Sequence, residues 1–395
     1  MASSIMSRHQ GIMTGNGGSS ELLQAGIVQK ALTKLVNQYP DDPSTKSFHD
    51  YVIDSTESVA MFLQNATKDT VYPLDRFSNG NGLIQQSKTN ENPNITLALS
   101  GLRKSLDLQT RNTNGGLWYY VYPFWSYLDG MFSFAPFYAL YTKEVEPQNM
   151  TAALTDIKLQ MDILWERCLV ESSGLLVHGY DFSKTAVWAD PETGASPHVW
   201  GRSLGWYAMV LVDTIEILSS IKDISVVTDL QNKASSLLSA IAKTVDPATG
   251  AWWQVMDRPG DAGNYIESSG SAMFVYSLLK AEKLGIFESR NGQGKHSGPA
   301  HPISGIALRA YDYIVDNFLV NNNNGTLGYN GTVSVCSLNS TASYDVSQAS
   351  CDLPMTKLTT VRYYIHQPIL YDSVLGSASF VLASLEVEHL KVKDS

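Results

Sequence analysis

The chain has 395 residues and a formal net charge of −10, with 44% hydrophobic and only 17% charged residues. This balance excludes a disordered chain and supports a large core. An acidic chain with no basic stripe is a poor partner for nucleic acid or anionic membranes, and no apolar run is long enough to span a bilayer.

Taken in chain order, apolar residues recur at i, i+3 and i+4 through Glu21–Tyr39, which predicts a first long helix. The same spacing predicts helices at Phe48–Ala66, Leu154–Val170, Ser203–Ile221, Val226–Val245, Ser268–Gly285, Gly305–Val320 and Ser373–Leu390, with another starting near Gly130. No hairpin series or strand–helix alternation competes with this reading, so the fold class is all-α. Two kinds of helix alternate. Leu154–Val170 carries charge on one face, whereas Ser268–Leu279 and Ser373–Ser384 are rich in small residues and nearly uncharged. A helix without a polar face is buried all round, so the alternation predicts two concentric layers.

The connections repeat as well. Asn112–Tyr120, Glu171–Tyr180, Pro247–Val255 and Asn322–Asn330 each run from polar turn residues through a glycine into a short extended stretch. Their glycines are read as Gly116, Gly174, Gly250 and Gly325. Repeated helical hairpins with matching loops at one end describe a closed helical toroid. No internal linker stands out, and residues 1–395 are expected to form one domain. Of the three cysteines, Cys168 is expected to be a buried free thiol, while Cys336 and Cys351 flank a polar excursion and either pair or stay free. Six N-x-S/T sequons, at Asn65, Asn94, Asn149, Asn324, Asn330 and Asn339, favour a secreted glycoprotein over a cytoplasmic protein. The start, MASSIMSRHQ, has no apolar core of a secretory leader.

Three segments could carry chemistry. The aromatic stretch YPFWSYLDG (Tyr122–Gly130) holds one carboxylate, Asp129, close to Trp125. A carboxyl in apolar surroundings suits general acid catalysis near neutral pH, and a helix-capping role for Asp129 is an equally good reading. Asp75 in YPLDRFSNGNG has a similar setting, with a cap or an ion pair to Arg76 as the plainer alternative. The third segment, His178–Tyr207, packs His178, Asp181, Trp188, Asp190, His198, Trp200, Arg202 and Trp206 into a loop-like stretch. Tryptophans around an arginine suit an acidic sugar, because the ring stacks on the indole and the guanidinium forks to a carboxylate. Core tryptophans with Arg202 paired to an acid are the competing reading. Nothing in the sequence has the spacing of a metal site, a phosphate loop or a nucleophile elbow.

Together, LDG in its aromatic segment, GLLVHGYD, WADPETGASPHVWGRSLGWY and NYIESSGS (Asn264–Ser271) resemble glycoside hydrolase family 105, the unsaturated rhamnogalacturonyl hydrolases. The string S-P-x-x-W-x-R-S-x-G-W (Ser196–Trp206) is the most specific part, and the likeness runs from about Asp75 to the C-terminus. The resemblance implies an (α/α)6 barrel. It also implies a reaction that hydrates the C4=C5 double bond of a terminal unsaturated uronic acid, after which the hemiketal collapses and the neighbouring sugar leaves. By motif, the family's acid/base falls on Asp129, an assisting carboxylate on Asp75, and substrate contacts on His178, Trp200, Arg202 and Trp206. Tyr119 and Trp125 are added as aromatic contacts. Tyr119 and Tyr127 replace a His and a Trp of bacterial relatives, and His198 replaces a frequent Glu. The resemblance implies an acidic oligosaccharide as partner. A single Asp can donate and then accept a proton, so no metal or organic cofactor is needed, and the chain is expected to be a monomer. An unsaturated glucuronyl hydrolase is one alternative. An inverting glycosidase, with carboxylates roughly 6.5–9.5 Å apart, is another.

Overall fold

The computed structural model describes residues 1–18, 20–89, 92–120, 124–221, 224–287, 302–338, 342–343 and 358–393. Its helices in chain order are α1 (Ala2–Ser7), α2 (Glu21–Gln38), α3 (Thr45–Ala60), the single turn α4 (Ala66–Asp69), a 3-10 turn (Leu74–Asn79) leading into α5 (Gly80–Thr89), α6 (Pro93–Asp107), α7 (Asp129–Glu144), α8 (Met150–Cys168), α9 (Gly201–Leu218), α10 (Ile224–Lys243), α11 (Ser268–Lys283), α12 (Pro302–Phe318), α13 (Thr360–Ile365) and α14 (Val374–Lys393).

Six of these form a closed inner ring. Around it, α2 touches the 3-10 turn of α5, which touches α7, then α9, α11 and α14, and α14 returns to α2. An outer helix flanks each: α3 on α2, α6 on α5, α8 on α7, α10 on α9, α12 on α11 and α1 on α14. Outer and inner helices alternate along the chain, which makes the fold an (α/α)6 barrel with two concentric layers. The sequence explains the layering. Every residue of α9 from Gly201 to Ile215, and of α11 from Ser268 to Ala281, is buried. Close approach also requires small residues. A Cβ on Gly80 would lie 2.0 Å from the Phe137 ring, and one on Gly205 would lie 2.9 Å from the Met273 Cβ.

Helix boundaries differ from the expected ones mainly at α3, which begins at Thr45 and ends at Ala60 instead of running to Ala66. The sequence reading also passed over α5 and α6, although Asn92 caps α6 through the Asn94 amide and Pro93 opens its first turn. The repeated loops all follow outer helices, namely α6, α8, α10 and α12. Gly174, Gly250 and Gly325 hold left-handed φ angles of 73°, 79° and 85°. In the first loop that role falls to Gly115 (φ 82°) rather than Gly116. Cys168 and Cys336 are buried free thiols, and Cys351 lies outside the described residues. Most of the polar excursion Ser334–Leu353 lies outside them too.

Because every hairpin enters from the same side, the inner helices all start at one end of the barrel. Partial positive charge from six helix N-termini converges there, which favours an anionic ligand.

Candidate active site

At that end lies a narrow cleft with about 440 Å³ of empty space, counting its open mouth. Its lining includes Leu23 of α2, Asp75 of the 3-10 turn, Asp129 at the start of α7, Arg202 and Trp206 in the first turns of α9, and Leu375 at the start of α14. Ser20, Tyr119, Tyr120, Tyr127, His178, Trp200, Val335 and Ser337 from the connecting segments also line it.

Short backbone ladders fix the geometry. Strand Trp125–Tyr127 pairs antiparallel with Gly179–Asp181, and the Leu128 amide bonds the His178 carbonyl at 3.1 Å. The ladder sets Asp129 beside His178, although 49 residues separate them. Gly179 permits the approach, since a Cβ there would lie 2.3 Å from the Ser126 carbonyl oxygen. In the same way the Leu74 amide bonds the Tyr119 carbonyl at 3.0 Å, which brings Asp75 to the Tyr119 hydroxyl.

Asp129 is the first residue of α7, and its side chain does not cap that helix; the N-cap position is Leu128, with no side-chain cap. The Asp129 Oδ2 instead accepts a hydrogen bond from the Ser203 hydroxyl and lies 3.4 Å from His178 Nε2. His178 is buried, and its Nδ1 lies 2.7 Å from the Tyr364 hydroxyl. The imidazole stacks on Tyr127 with centroids 4.6 Å apart and meets Trp200 edge-on at 4.8 Å. Tyr364, His178 and Asp129 therefore stand in one line, with a hydrogen bond between the first two and a 3.4 Å contact between the imidazole and the carboxylate. When the phenol donates to Nδ1, Nε2 carries the hydrogen that faces the Asp129 carboxylate.

Asp75 is the other carboxylate of the cleft, 3% exposed. Its Oδ2 accepts from the Tyr119 hydroxyl at 2.7 Å. Its Oδ1 is buried without a hydrogen-bond partner among the described residues. Burial pushes the Asp75 carboxyl up to about 7, with the nearby Asp129 adding to the rise and the Tyr119 hydrogen bond opposing it. Arg76 does not hold Asp75 in a direct ion pair. Its guanidinium bonds the Ser105 hydroxyl, the Gln109 side chain and the Tyr72 carbonyl.

The remaining sequence-predicted residues divide. Trp200 and Trp206 line the cleft but are almost fully buried. The Trp200 indole N–H donates to Gln254 Oε1 at 3.0 Å, and Trp206 packs on Phe132 with centroids 4.4 Å apart. Arg202 stacks over Trp200 at 4.8 Å, and its guanidinium donates to the Val333 and Ser334 carbonyls. The fork that the sequence reading directed at a substrate carboxylate is engaged by main chain here. Trp125 is not among the residues lining the cleft; it packs edge-on against Trp188 at 5.2 Å. Of the third segment's other polar residues, Asp181 is tied to the amides of Ser183, Thr185 and Ala186. His198 bonds Asp257 at 2.7 Å. Both hold loops in place.

Sequence reasoning missed Ser203 and Tyr364. Ser203 stands inside the S-P-x-x-W-x-R-S-x-G-W string between two residues that were singled out, so a signal existed. Tyr364 has none, because it reaches the cleft from 186 residues beyond His178. Among the described residues no group of three or more His, Cys, Asp or Glu side chains could hold a metal ion.

A model of glycosyl hydrolase family 88 matches residues 3–391, nearly the whole chain. The chain belongs to the family 88 and 105 glycoside hydrolases. It is similar to a family 105 glycoside hydrolase from C. acetobutylicum, at 30% identity over 98% of each chain and a TM-score of 0.78. The same fold is found in the unsaturated glucuronyl hydrolase of Bacillus sp. GL1, an enzyme of glycosaminoglycan degradation. That likeness covers 95% of this chain and 87% of the other, at 13% identity and a TM-score of 0.64. The 24.9 kDa protein in the picA locus of Rhizobium radiobacter is 34% identical over 216 residues, which cover 55% of this chain and 83% of that one. Membership of the family 88/105 group supports a glycosidase acting on glycosides of unsaturated uronic acids.

Proposed function

We propose that this family 88/105 enzyme releases the unsaturated uronic acid from the non-reducing end of rhamnogalacturonan-type lyase products, with Asp129 as general acid and base. The observation that carries the reading is the setting of Asp129. One carboxylate oxygen is held by Ser203 and faces His178, and the residue lies at the edge of a cleft shared with Asp75.

In the proposed reaction the Asp129 carboxyl gives its proton to C4 of the enol ether, and positive charge spreads over C5 and the ring oxygen. The carboxylate left behind stabilises that charge and takes a proton from the water that adds at C5. The hemiketal then opens to a ketone at C5, and the hemiacetal at C1 releases the neighbouring sugar. Asp75 contributes as a neutral carboxyl. A second ionised carboxylate beside Asp129 would repel the uronate, and burial keeps Asp75 protonated up to about pH 7. Six converging helix N-termini supply the compensating positive potential.

The test is incubation with a lyase-generated unsaturated rhamnogalacturonan disaccharide, followed by ultraviolet absorbance of the conjugated uronic acid. The expected result is absorbance loss matched by released rhamnose. Turnover of an unsaturated glucuronyl disaccharide alone would replace the galacturonyl assignment. Cleavage of saturated glycosides alone would favour an inverting glycosidase.

A further inference from the structure

The inner ring encloses a second and larger cavity, one or more helical turns beyond the cleft. It contains about 1020 Å³ of empty space, counting its open mouth. Residues further along the inner helices face it: Gln29, Lys30, Thr33 and Lys34 of α2; Asn81 and Gln85 of α5; Ser133 and Pro136 of α7; Asp213 and Glu216 of α9. At 1.5 Å per residue, Glu216 lies roughly 20 Å along α9 from Arg202.

Its wall is chemically incomplete. Gln29 and Ser133 are 2% and 1% exposed. The Gln29 amide N–H donates to Ser55 and Asn79, but its Oε1 has no hydrogen-bond partner among the described residues. Neither do Asn81 Oδ1 and Ser133 Oγ. Pro136 lies inside α7 and has no N–H to offer the Phe132 carbonyl. These groups need donors, and an unmet buried polar group is costly. Gly82 keeps the space open, since a Cβ there would lie 2.6 Å from Gln29 Oε1.

The opposite need sits on the neighbouring wall. Lys30 pairs with Asp213, Lys34 with Glu216 at 3.3 Å, and the fully buried Lys280 with both acids. The buried Glu386, paired with Lys283 at 3.5 Å, is a further carboxylate acting on Lys30 and Lys34, so four ammonium groups share three carboxylates and one positive charge is left in excess. Each of Lys30 and Lys34 has further N–H donors beyond its ion pair. Phe77, Phe132 and Phe137 supply an apolar side.

We propose that this axial cavity is a binding site for a small hydroxylated carboxylate, a sugar acid of monosaccharide size. The carboxylate accepts from Lys30 and Lys34, while hydroxyls donate to Gln29 Oε1, Asn81 Oδ1 and Ser133 Oγ. No sugar without an acid group answers the charge excess, and no simple carboxylate answers the acceptors. Burial lowers the Lys34 ammonium to about 8 and lowers Lys30 as well, and a bound anion relieves both.

The proposal does not depend on the catalytic reading. It is tested with sodium D-glucuronate and D-glucose as probes, by crystal soaking and by titration calorimetry. The variants are Lys34→Met, in which Lys280 still pairs Glu216, and Thr33→Trp, which fills the mouth and leaves every ion pair in place. The expected result is glucuronate in the axial cavity. Both variants should weaken that binding event at least tenfold, glucose should bind at least tenfold more weakly than glucuronate, and turnover of the unsaturated disaccharide should stay within twofold. Water alone in the soaked cavity, equal binding of glucose, or unchanged titrations in both variants would overturn the proposal.

Discussion

The two ends of the inner ring use the same helices and treat charge in opposite ways. At the cleft end, Asp75 and Asp129 face one cavity, and among the described residues neither is neutralised by a lysine or arginine ion pair. One turn or more beyond, Lys30, Lys34 and Lys280 are laced to Asp213 and Glu216. The lesson is where a barrel stores reactivity. Charges deep in the lumen are held largely by ion pairs with one another, whereas the carboxylates near the helix N-termini are held by hydroxyl groups and a histidine.

The comparison can be broken most sharply at Asp129. Asp129→Asn should lower kcat/KM on the unsaturated disaccharide by about 10³-fold or more, the scale of a lost general acid and base, with a thermal unfolding midpoint close to that of the unaltered protein. Retention of a tenth of the activity would remove Asp129 from the chemistry. At the opposite end, Lys280→Met should cost about 3–5 kcal/mol of stability, because it leaves Asp213 and Glu216 short of a buried partner. Chemical denaturation measures this, and the folded fraction should keep its turnover. A loss of activity without a loss of stability would mean that the far end serves catalysis directly.

The pH response sharpens the contrast. With Asp75 raised to about 7, kcat/KM should decline as pH climbs through that value, because ionised Asp75 then faces Asp129 and the uronate. Tyr119→Phe removes the hydrogen bond that opposes the rise, so the decline should move to higher pH. A decline that stays in place or moves to lower pH would sever the link to Asp75. Stability follows the same group. The folded protein keeps a proton that the unfolded chain, with its ordinary value of 3.8, releases first. The contribution is fully present below about pH 4 and is lost as pH rises to about 7. The smallest expected effect is that of Tyr364→Phe. Loss of one hydrogen bond to His178 should lower kcat/KM about five- to tenfold. Substrate KM should change little, since Tyr364 acts through His178 rather than on the sugar.

Much of the architecture was legible because it is written in composition. The charge-free stretches Ser268–Leu279 and Ser373–Ser384 fall on inner helices, and the charged Leu154–Val170 falls on an outer one as far as Cys168, its last two residues forming a short strand. Loop glycines gave the repeat, with Gly115 in place of Gly116 because only the backbone shows which neighbour takes the left-handed turn. The site was legible as a list of residues more than as a set of partners. Asp75, Asp129, His178, Trp200, Arg202, Trp206 and Tyr119 do meet in one cleft. Trp125 stays outside its lining, since its short strand aims it at Trp188. The engagement of Arg202 by the Val333 and Ser334 carbonyls, and of His178 by Tyr364, depends on chain crossings of 131 residues and more. Local spacing carries no trace of those.

The central claim is that Asp129 delivers a proton to C4 of a double bond from one fixed side. Turnover of the unsaturated disaccharide in D₂O, read by proton NMR of the product, tests it directly. Delivery by Asp129 predicts deuterium on a single face of C4 in the first-formed product, with neither product nor label in Asp129→Asn. Deuterium on both faces of C4 would contradict it, because the proton would then have arrived from solvent after the sugar had left the enzyme.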